Sequence, residues 1–306
     1  MNDHLIGSIG RTIENRCLLK FYSASAQLAI GFSFGMVIER ATVLTLAKST
    51  NCQGKHQIVD STKSTQPVCM ITGGSSGIGL ATAKKFAEMN YDVSICGRNV
   101  DRLNEAVSKI GAIQKNVDGE SPASEVFSRQ TDLANPQDAV KFAEQTIARF
   151  GRVDVLVNNA GSAPLAPFES ITSEVFESSL NVNVRSVFYL TQLVWKQMKE
   201  ANAGTIVNIS SLSAVDPFPG FSLYGASKSW LDLMTLALAA EGKESGIRVC
   251  SIRPGAVETP MLRGLFPDFP SEQCVQPSDI ANEVWGCVAD PNSYPSGQAF
   301  PVTNQP

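Results

Sequence analysis

The chain has 306 residues, of which 43% are hydrophobic and 18% are charged, a balance that allows a large buried core and at most two domains. The formal net charge of -4 and the lack of any Lys- or Arg-rich run argue against a nucleic-acid partner. The seven cysteines show no C-x-x-C spacing, which argues against a disulfide framework and a metal site and favours a reducing, cytoplasmic location.

The first 66 residues differ from the rest because they show no alternation of strand and helix patterns. Residues 49–66 are rich in Ser, Thr, Gln and Lys, a composition typical of a linker. Residues 21–38 carry no charge and just reach the length of a membrane helix, but polar residues and glycines dilute the run, so a membrane span is the weakest interpretation. A targeting segment and a poorly ordered leader both stay open. We predict a leader and linker over residues 1–66 and one folded domain over 67–306.

From about residue 67, short β-rich runs alternate with amphipathic stretches that are long enough for helices. This alternation is typical of a parallel sheet that is covered by helices on both faces. Strands are predicted over residues 68–72, 92–96, 126–131, 153–158, 204–210, 247–253 and 298–302. Seven such strands predict one Rossmann-like, doubly wound α/β domain.

A glycine-rich turn joins the first predicted strand to a predicted helix over residues 77–89. A helix N-terminus offers unpaired N–H groups and a positive dipole end to an anion, and glycines let the backbone approach a pyrophosphate closely. The spacing is G-x-x-x-G-x-G rather than the commoner G-x-G-x-x-G, so a plain glycine-rich turn stays open. The candidate cofactor-binding residues of the turn are Gly73, Ser75, Ser76, Gly77, Ile78 and Gly79.

The end of the second predicted strand bears on the choice of cofactor. An NAD enzyme of this architecture places a carboxylate there, about twenty residues past the glycines. Here the sequence is Cys96-Gly97-Arg98, so no acid is present. The planar guanidinium of Arg98 can pair with a 2'-phosphate, although a solvated surface arginine is the alternative. These positions predict NADP rather than NAD.

Polar residues also follow the third and fourth predicted strands. Asp132 comes after the third strand, and Asn158-Asn159-Ala160-Gly161 ends the fourth. Ligands bind at the carboxyl ends of strands in such sheets, so Asp132, Asn159, Ala160 and Gly161 are candidate cofactor contacts. A cap for the helix that begins near Pro136 is the alternative for Asp132, and a simple turn is the alternative for the asparagines.

Tyr224 and Lys228 lie four residues apart in a segment rich in helix formers, so they share one helix face. An ammonium near a phenol favours the phenolate, so Lys228 is predicted to lower a pKa that starts near 10. Such a pair also arises by chance. Ser211, at the end of the fifth predicted strand, strengthens the assignment because its hydroxyl can hold a carbonyl oxygen beside Tyr224.

Together these motifs resemble the short-chain dehydrogenase/reductase family, in its single-domain form, from about residue 67 to the C-terminus. The resemblance implies that residues 72–79 form the cofactor turn and that residues 158–161 steady the sheet and flank the adenosine. Pro254, Gly255 and Thr259 are similar to the segment that contacts the nicotinamide end of the cofactor.

The same resemblance assigns the chemistry. It implies that Ser211 orients the substrate, that Tyr224 is the acid/base, that Lys228 binds the nicotinamide ribose and that Asn183 holds a water in a proton relay. Ser76 departs from the family pattern, because many NADP-preferring members carry a basic residue there. The C-terminal residues 300–306 also lack the family's usual Asp-Gly-Gly ending.

The activity that the resemblance implies is direct hydride transfer between the nicotinamide and a substrate carbon, with Tyr224 passing the proton. The best single substrate prediction is a 3-oxoacyl thioester, as in the 3-oxoacyl-[acyl-carrier-protein] reductases, with an apolar ketone or alcohol close behind. A catalytically idle dinucleotide-binding redox sensor or assembly partner is the alternative. The complete set of Asn183, Ser211, Tyr224 and Lys228 favours the enzyme.

Apolar residues near these motifs are predicted to line the substrate pocket and its lid, or else to form core or subunit contacts. They are Leu212, Val215, Phe218, Phe221, Met261, Leu262, Leu265 and Phe266. Arg263 beside them can meet a carrier phosphate or a carboxylate, or it is simply exposed. The apolar residues of 230–238 spread around most of a helix, which predicts that a second face packs on another subunit. The family resemblance implies a homodimer or homotetramer.

Overall fold

A computed structural model of the chain describes residue 64 and residues 66–114 and 124–304. The leader and linker that we predict over residues 1–66, with the uncharged run 21–38, lie outside the described residues except for Ser64 and Gln66. Among the described residues, no helix combines the length and the apolar character that crossing a membrane requires.

Strands and helices alternate along the described part of the chain. The strands are β1 (Val68–Ile71), β2 (Asp92–Gly97), β3 (Val126–Gln130), β4 (Val155–Asn158), β5 (Gly204–Ile209), β6 (Ile247–Pro254) and β7 (Ala299–Val302). The helices are α1 (Gly77–Glu88), α2 (Val100–Gln114), α3 (Pro136–Phe150), α4 (Ser173–Leu180), α5 (Ser186–Ala201), α6 (Ser222–Gly242), α7 (Pro260–Leu265) and α8 (Pro277–Ala289). All seven predicted strands are confirmed, and their ends differ from the prediction by at most two residues.

The seven strands form one parallel sheet with the order β3-β2-β1-β4-β5-β6-β7. The order reverses at β1, which pairs with β2 on one side and with β4 on the other. Because all strands run the same way, their carboxyl ends meet at one edge, and a crevice forms where the order reverses. The predicted doubly wound α/β fold is confirmed, and the site residues that follow the strands converge on this edge.

Both faces of the sheet are buried, as a parallel sheet requires. Along β1, Cys69 and Ile71 belong to a core cluster with α1, α2 and α8, whereas Met70 belongs to a cluster with α3 and α5 on the other face. The central strands β1 and β4 are therefore nearly continuous apolar runs, whereas the edge strand β3 is only partly buried. The described cysteines are free thiols, and Cys69, Cys96 and Cys250 are buried within strands, as their apolar surroundings predict.

Candidate active site

The glycine turn after β1 is tied to the end of β4. Thr72 Oγ1 accepts hydrogen bonds from the backbone N–H groups of Asn159 and Ala160, both at 3.0 Å. The Asn159 side-chain amide donates to the carbonyls of Thr72 at 2.8 Å and Gly73 at 3.2 Å. The two segments that flank the point where the strand order reverses are thereby held together, and the Asn159 side chain serves to position the turn.

Three glycines of the turn have no room for a side chain or lie in a conformation that disfavours one. Gly73 and Gly77 have positive φ angles of 67° and 52°. A Cβ on Gly79 would lie 2.5 Å from Asn159 Nδ2 and still closer to the carbonyl oxygen of Gly73. Ser76, the N-cap of α1, makes no side-chain cap hydrogen bond. The N-terminus of α1 is therefore free to receive an anion.

Two arginines follow β2. Arg98 is exposed directly after the strand, and Arg102 stands one helical turn later, in the first turn of α2. Both line the same cavity as the glycine turn. Arg102 is not among the cofactor-binding residues that we predicted from the sequence. Its position four residues after Arg98, at the start of a helix, is the signal that could have identified it.

Asp132 lies at the carboxyl end of β3 and also lines the cavity. Its Oδ1 accepts a hydrogen bond from the backbone N–H of Ala134 at 3.0 Å. The cap of α3 is instead Asn135, whose side chain accepts from the Gln137 N–H. The alternative that Asp132 is the helix cap is therefore wrong.

Asn183 lies buried in a single π-helical turn, Asn181–Arg185, between α4 and α5. Its Oδ1 accepts from the Ser162 N–H and its Nδ2 donates to the Ser162 carbonyl, each at 2.8 Å. Nδ2 also donates to Ser227 Oγ at 3.0 Å, and Ser227 Oγ in turn donates to the Tyr224 carbonyl at 2.7 Å. Asn183 thus joins the loop after β4 to the helix that carries Tyr224.

Lys228 is buried in α6, and its Nζ donates to the carbonyl of Ile209, the last residue of β5, at 2.7 Å. Burial lowers the pKa of the Lys228 ammonium to about 8, and the negative charge of Asp232 opposes that shift. The carboxylate of Asp232 accepts from Ser251 Oγ at 2.6 Å and from Arg253 Nε at 2.7 Å, so it anchors α6 to β6.

The Tyr224 ring lies beside Lys228, whose Nζ is 5.7 Å from the ring centroid. Burial raises the pKa of the Tyr224 phenol above its ordinary value, and a hydrogen bond with the Ser211 side chain lowers it in part. The prediction that Lys228 lowers this pKa is therefore wrong, because the cost of burying a phenolate dominates. Ser211 Oγ also accepts from the Ser213 N–H at 3.1 Å, which fixes its position at the end of β5.

These groups share one cavity of about 1130 Å³ at the carboxyl edge of the sheet. All but two of the predicted site residues line it; Gly79 and Asn183 lie behind the wall. The lining residues that we predicted are Gly73, Ser75, Ser76, Gly77, Ile78, Arg98, Asp132, Asn159, Ala160, Gly161, Ser211, Tyr224, Lys228, Pro254, Gly255 and Thr259. The tertiary structure therefore brings together motifs that are spread over more than half of the chain.

The predicted substrate wall is present with two corrections. Of the eight apolar residues, all but Val215 line the cavity, and Val215 is 61% exposed elsewhere. Arg263 does not line it either: its guanidinium pairs with Glu258 and donates to the carbonyls of Pro267 and Phe269 at 3.1 and 2.6 Å. Of the alternatives that we left open for Arg263, neither a contact with a carrier phosphate nor simple exposure describes this side chain, which is partly buried and paired with Glu258.

The chain is similar to known proteins over the same region. The model of the short chain dehydrogenase family matches residues 67–269. A 3-oxoacyl-[acyl-carrier-protein] reductase of Thermotoga maritima is 32% identical over 243 residues, which make up 77% of this chain and 95% of the relative.

Two solved structures are similar in fold as well as in sequence. A 3-ketoacyl-(acyl-carrier-protein) reductase from Brucella melitensis, complexed with NADH, is 30% identical with a TM-score of 0.69, covering 77% of this chain and 96% of that one. An actinorhodin polyketide ketoreductase variant with NADPH is 28% identical with a TM-score of 0.71, covering 78% and 96%. The two structures hold different nicotinamide cofactors.

Proposed function

This chain belongs to the short-chain dehydrogenase/reductase family and is an NAD(P)-dependent oxidoreductase; from that premise we propose that it is an NADP-dependent reductase of a 3-oxoacyl thioester or an apolar ketone. One observation carries the proposal: a single cavity holds the glycine turn, two arginines after β2, and the Ser211, Tyr224 and Lys228 side chains. A site for a dinucleotide and a site for proton transfer thus share one space.

The cofactor end fits NADP(H). The positive φ angles of Gly73 and Gly77 and the uncapped N-terminus of α1 suit a pyrophosphate. Arg98 and Arg102 line the cavity where β2 ends. None of the three residues that directly follow β2 (Arg98, Asn99 and Val100) is a carboxylate that could bind a free ribose hydroxyl. Two cations without such a carboxylate favour a 2'-phosphate. When bound, the cofactor supplies or accepts the hydride.

The protein's own contribution is proton control and positioning. Burial raises the pKa of Tyr224, so the phenol keeps its proton at neutral pH and can donate it to a carbonyl oxygen. Ser211, hydrogen-bonded to Tyr224, is placed to hold that oxygen. Lys228, whose pKa is about 8, is mostly charged at neutral pH and contributes a cation beside the phenol.

We assign Asn183 a positioning role, because its amide already binds Ser162 and Ser227. The family resemblance also implies that Asn183 holds a water in a proton relay, and we include that water in the proposed mechanism.

The proposal extends to assembly and location. Leu233 and Leu236 are exposed apolar side chains on α6, and Phe188 is exposed on α5. These helix faces suit contact with a second copy of the chain, in a homodimer or homotetramer. The free, buried thiols suit a cytoplasmic protein. We further propose that residues 1–66 are a leader and linker to the catalytic domain at 67–306.

The test is NADPH oxidation by the full chain with a panel of ketones and 3-oxoacyl thioesters, repeated with NADH. We expect turnover with at least one carbonyl and a kcat/KM about tenfold higher with NADPH, because Arg98 and Arg102 pair with the extra phosphate. Cofactor binding is measured in parallel by fluorescence. Tight NADPH binding without turnover across the panel would support the idle binder, whereas equal use of NADH would remove the NADP assignment.

A further inference from the structure

Three phenylalanines wall the part of the cavity beside Tyr224. Phe221 packs edge-on against the Tyr224 ring, with the ring centroids 5.3 Å apart. Phe218 and Phe266 pack on Phe221 with centroid distances of 4.3 and 6.3 Å, and the planes of Phe221 and Phe266 differ by only 18°. Phe221 is 5% exposed and Phe218 is 47% exposed, so an immobile inner ring supports an outer ring with a free face.

The charges at this end of the cavity are few. The charged side chains that line the cavity, among the residues that the structure describes, are Arg98, Arg102, Asp132, Asp216 and Lys228. The first three follow β2 and β3 at the cofactor end, and Lys228 is buried against Ile209.

The charge that remains beside the phenylalanines is the carboxylate of Asp216, two residues before Phe218. Arg263 in α7 does not line the cavity and is paired with Glu258.

From the aromatic wall and this charge pattern we infer that the substrate is an uncharged ketone with a flat ring system beside its carbonyl, rather than the thioester of a phosphate-bearing carrier. The inference rests on the proposed reductase function and decides between its two substrate classes. A flat apolar ring gains offset or edge-on packing against Phe218 and Phe266. Among the residues that the structure describes, no unpaired cation lies beside the phenylalanines, so a phosphate or carboxylate would meet the negative charge of Asp216 there.

The test compares kcat/KM with NADPH for four carbonyls. They are 1-tetralone, a flat bicyclic ketone; acetoacetyl-N-acetylcysteamine, an uncharged thioester; acetoacetyl-CoA, its phosphate-bearing counterpart; and 2,3-butanedione, a small reference carbonyl. We expect 1-tetralone to exceed the uncharged thioester about tenfold, and the uncharged thioester to exceed acetoacetyl-CoA several-fold. A preference for acetoacetyl-CoA would overturn the inference.

The small carbonyl 2,3-butanedione distinguishes failure of the inferred substrate class from failure of the proposed reductase function. Turnover of 2,3-butanedione without turnover of 1-tetralone would overturn the substrate class and leave the reductase in place. If none of the four carbonyls oxidises NADPH, the proposed function fails and the inference fails with it.

Two variants test the residues that carry the inference. Phe218→Ala should lower kcat/KM for 1-tetralone about tenfold and for 2,3-butanedione less than about threefold, because only the ring uses that wall. Val215→Ala, in the same segment but outside the cavity, should change neither. Equal losses with both carbonyls in Phe218→Ala would contradict the wall's role.

The second variant reverses the charge. Asp216→Lys should raise kcat/KM for acetoacetyl-CoA about tenfold and leave the value for acetoacetyl-N-acetylcysteamine unchanged, because only the carrier's phosphates sense the new cation. Unchanged use of acetoacetyl-CoA would contradict the argument from charge. Asp216 is exposed, so thermal unfolding of Asp216→Lys should match that of the unmodified chain, whereas Phe218→Ala loses its contact with Phe221 and should unfold at a slightly lower temperature.

Discussion

The two ends of the cavity are built in different ways. At the cofactor end, hydrogen bonds between backbone groups and the side chains of Thr72 and Asn159 tie the turn after β1 to the end of β4, and Gly79 in α1 has no room for a Cβ. At the substrate end, side chains from short segments outside the sheet form the wall, and Gly264 in α7 has open space around it. The turn at the cofactor end therefore tolerates little change at Gly79, whereas α7 at the substrate end leaves room for a side chain at Gly264.

The largest expected effect lies where the two ends meet, at Tyr224. Tyr224→Phe removes the proton donor but keeps the ring that packs on Phe221, so we expect kcat for carbonyl reduction to fall about 10³-fold with NADPH affinity unchanged. Steady-state kinetics and fluorescence titration measure the two quantities. Tyr189→Phe, on the outer face of α5, is the matched control and should be fully active. Appreciable turnover in Tyr224→Phe would remove this residue from the mechanism.

The contrast between the ends predicts opposite outcomes for the same substitution. Gly79→Ala should destabilise the folded state by about 3 kcal/mol, because the new methyl meets the Gly73 carbonyl and the Asn159 amide. Gly264→Ala should be neutral or slightly stabilising, because its methyl enters open space in a helix. Urea unfolding measures both. Equal stabilities for the two variants would break the comparison.

Lys228 lies where the cofactor end and the substrate end of the cavity meet, and its shifted pKa predicts that the stability of the folded chain depends on pH. The pKa of Lys228 is about 8 in the folded chain and near its ordinary value of about 10.5 in the unfolded chain. Between these values the unfolded chain holds a proton that the folded chain has lost, so stability rises with pH. We expect the free energy of unfolding to gain about 2 kcal/mol between pH 7 and pH 9.5 relative to Lys228→Met.

The measurement is urea unfolding at both pH values. Lys196→Met, on the exposed face of α5, should keep the full gain. If Lys228→Met gains as much stability as the unmodified chain, Lys228 is not the group that titrates.

The smallest expected effect concerns the choice of cofactor. Arg98→Ala should reduce the preference for NADPH over NADH about tenfold, and Arg102→Ala should reduce it by less, because Arg102 stands one helical turn further from β2. The ratio of kcat/KM for the two cofactors measures this. Arg149→Ala, which removes a surface pair with Glu125 just before the amino end of β3 and outside the cavity lining, should leave the ratio unchanged. An unchanged ratio in Arg98→Ala would exclude that residue from phosphate recognition.

Three properties of the site depend on how side chains are buried and on which groups they pair with, and the sequence does not reveal them. Val215 is as apolar as its neighbours, yet it faces away from the cavity, because the direction of a side chain in a short loop depends on how the loop packs. A ligand contact and simple exposure were both open for Arg263, but its guanidinium pairs with Glu258, five residues earlier. The pKa of Tyr224 depends on how deeply the ring is buried, which no spacing of tyrosine and lysine reveals.

Local patterns were enough to identify the strands, the glycine turn and the Ser211, Tyr224 and Lys228 set, because hydrophobic periodicity and motif spacing are properties of short segments. The tertiary structure decided which segments contact one another and which side chains are buried. The parallel pairing of β1 with β4 joins the turn to Asn159, and the packing of α6 buries Lys228 and partly buries Tyr224, which shifts both pKa values. These features arise between segments distant in the chain, where burial and long-range contacts, rather than local pattern, set the energies.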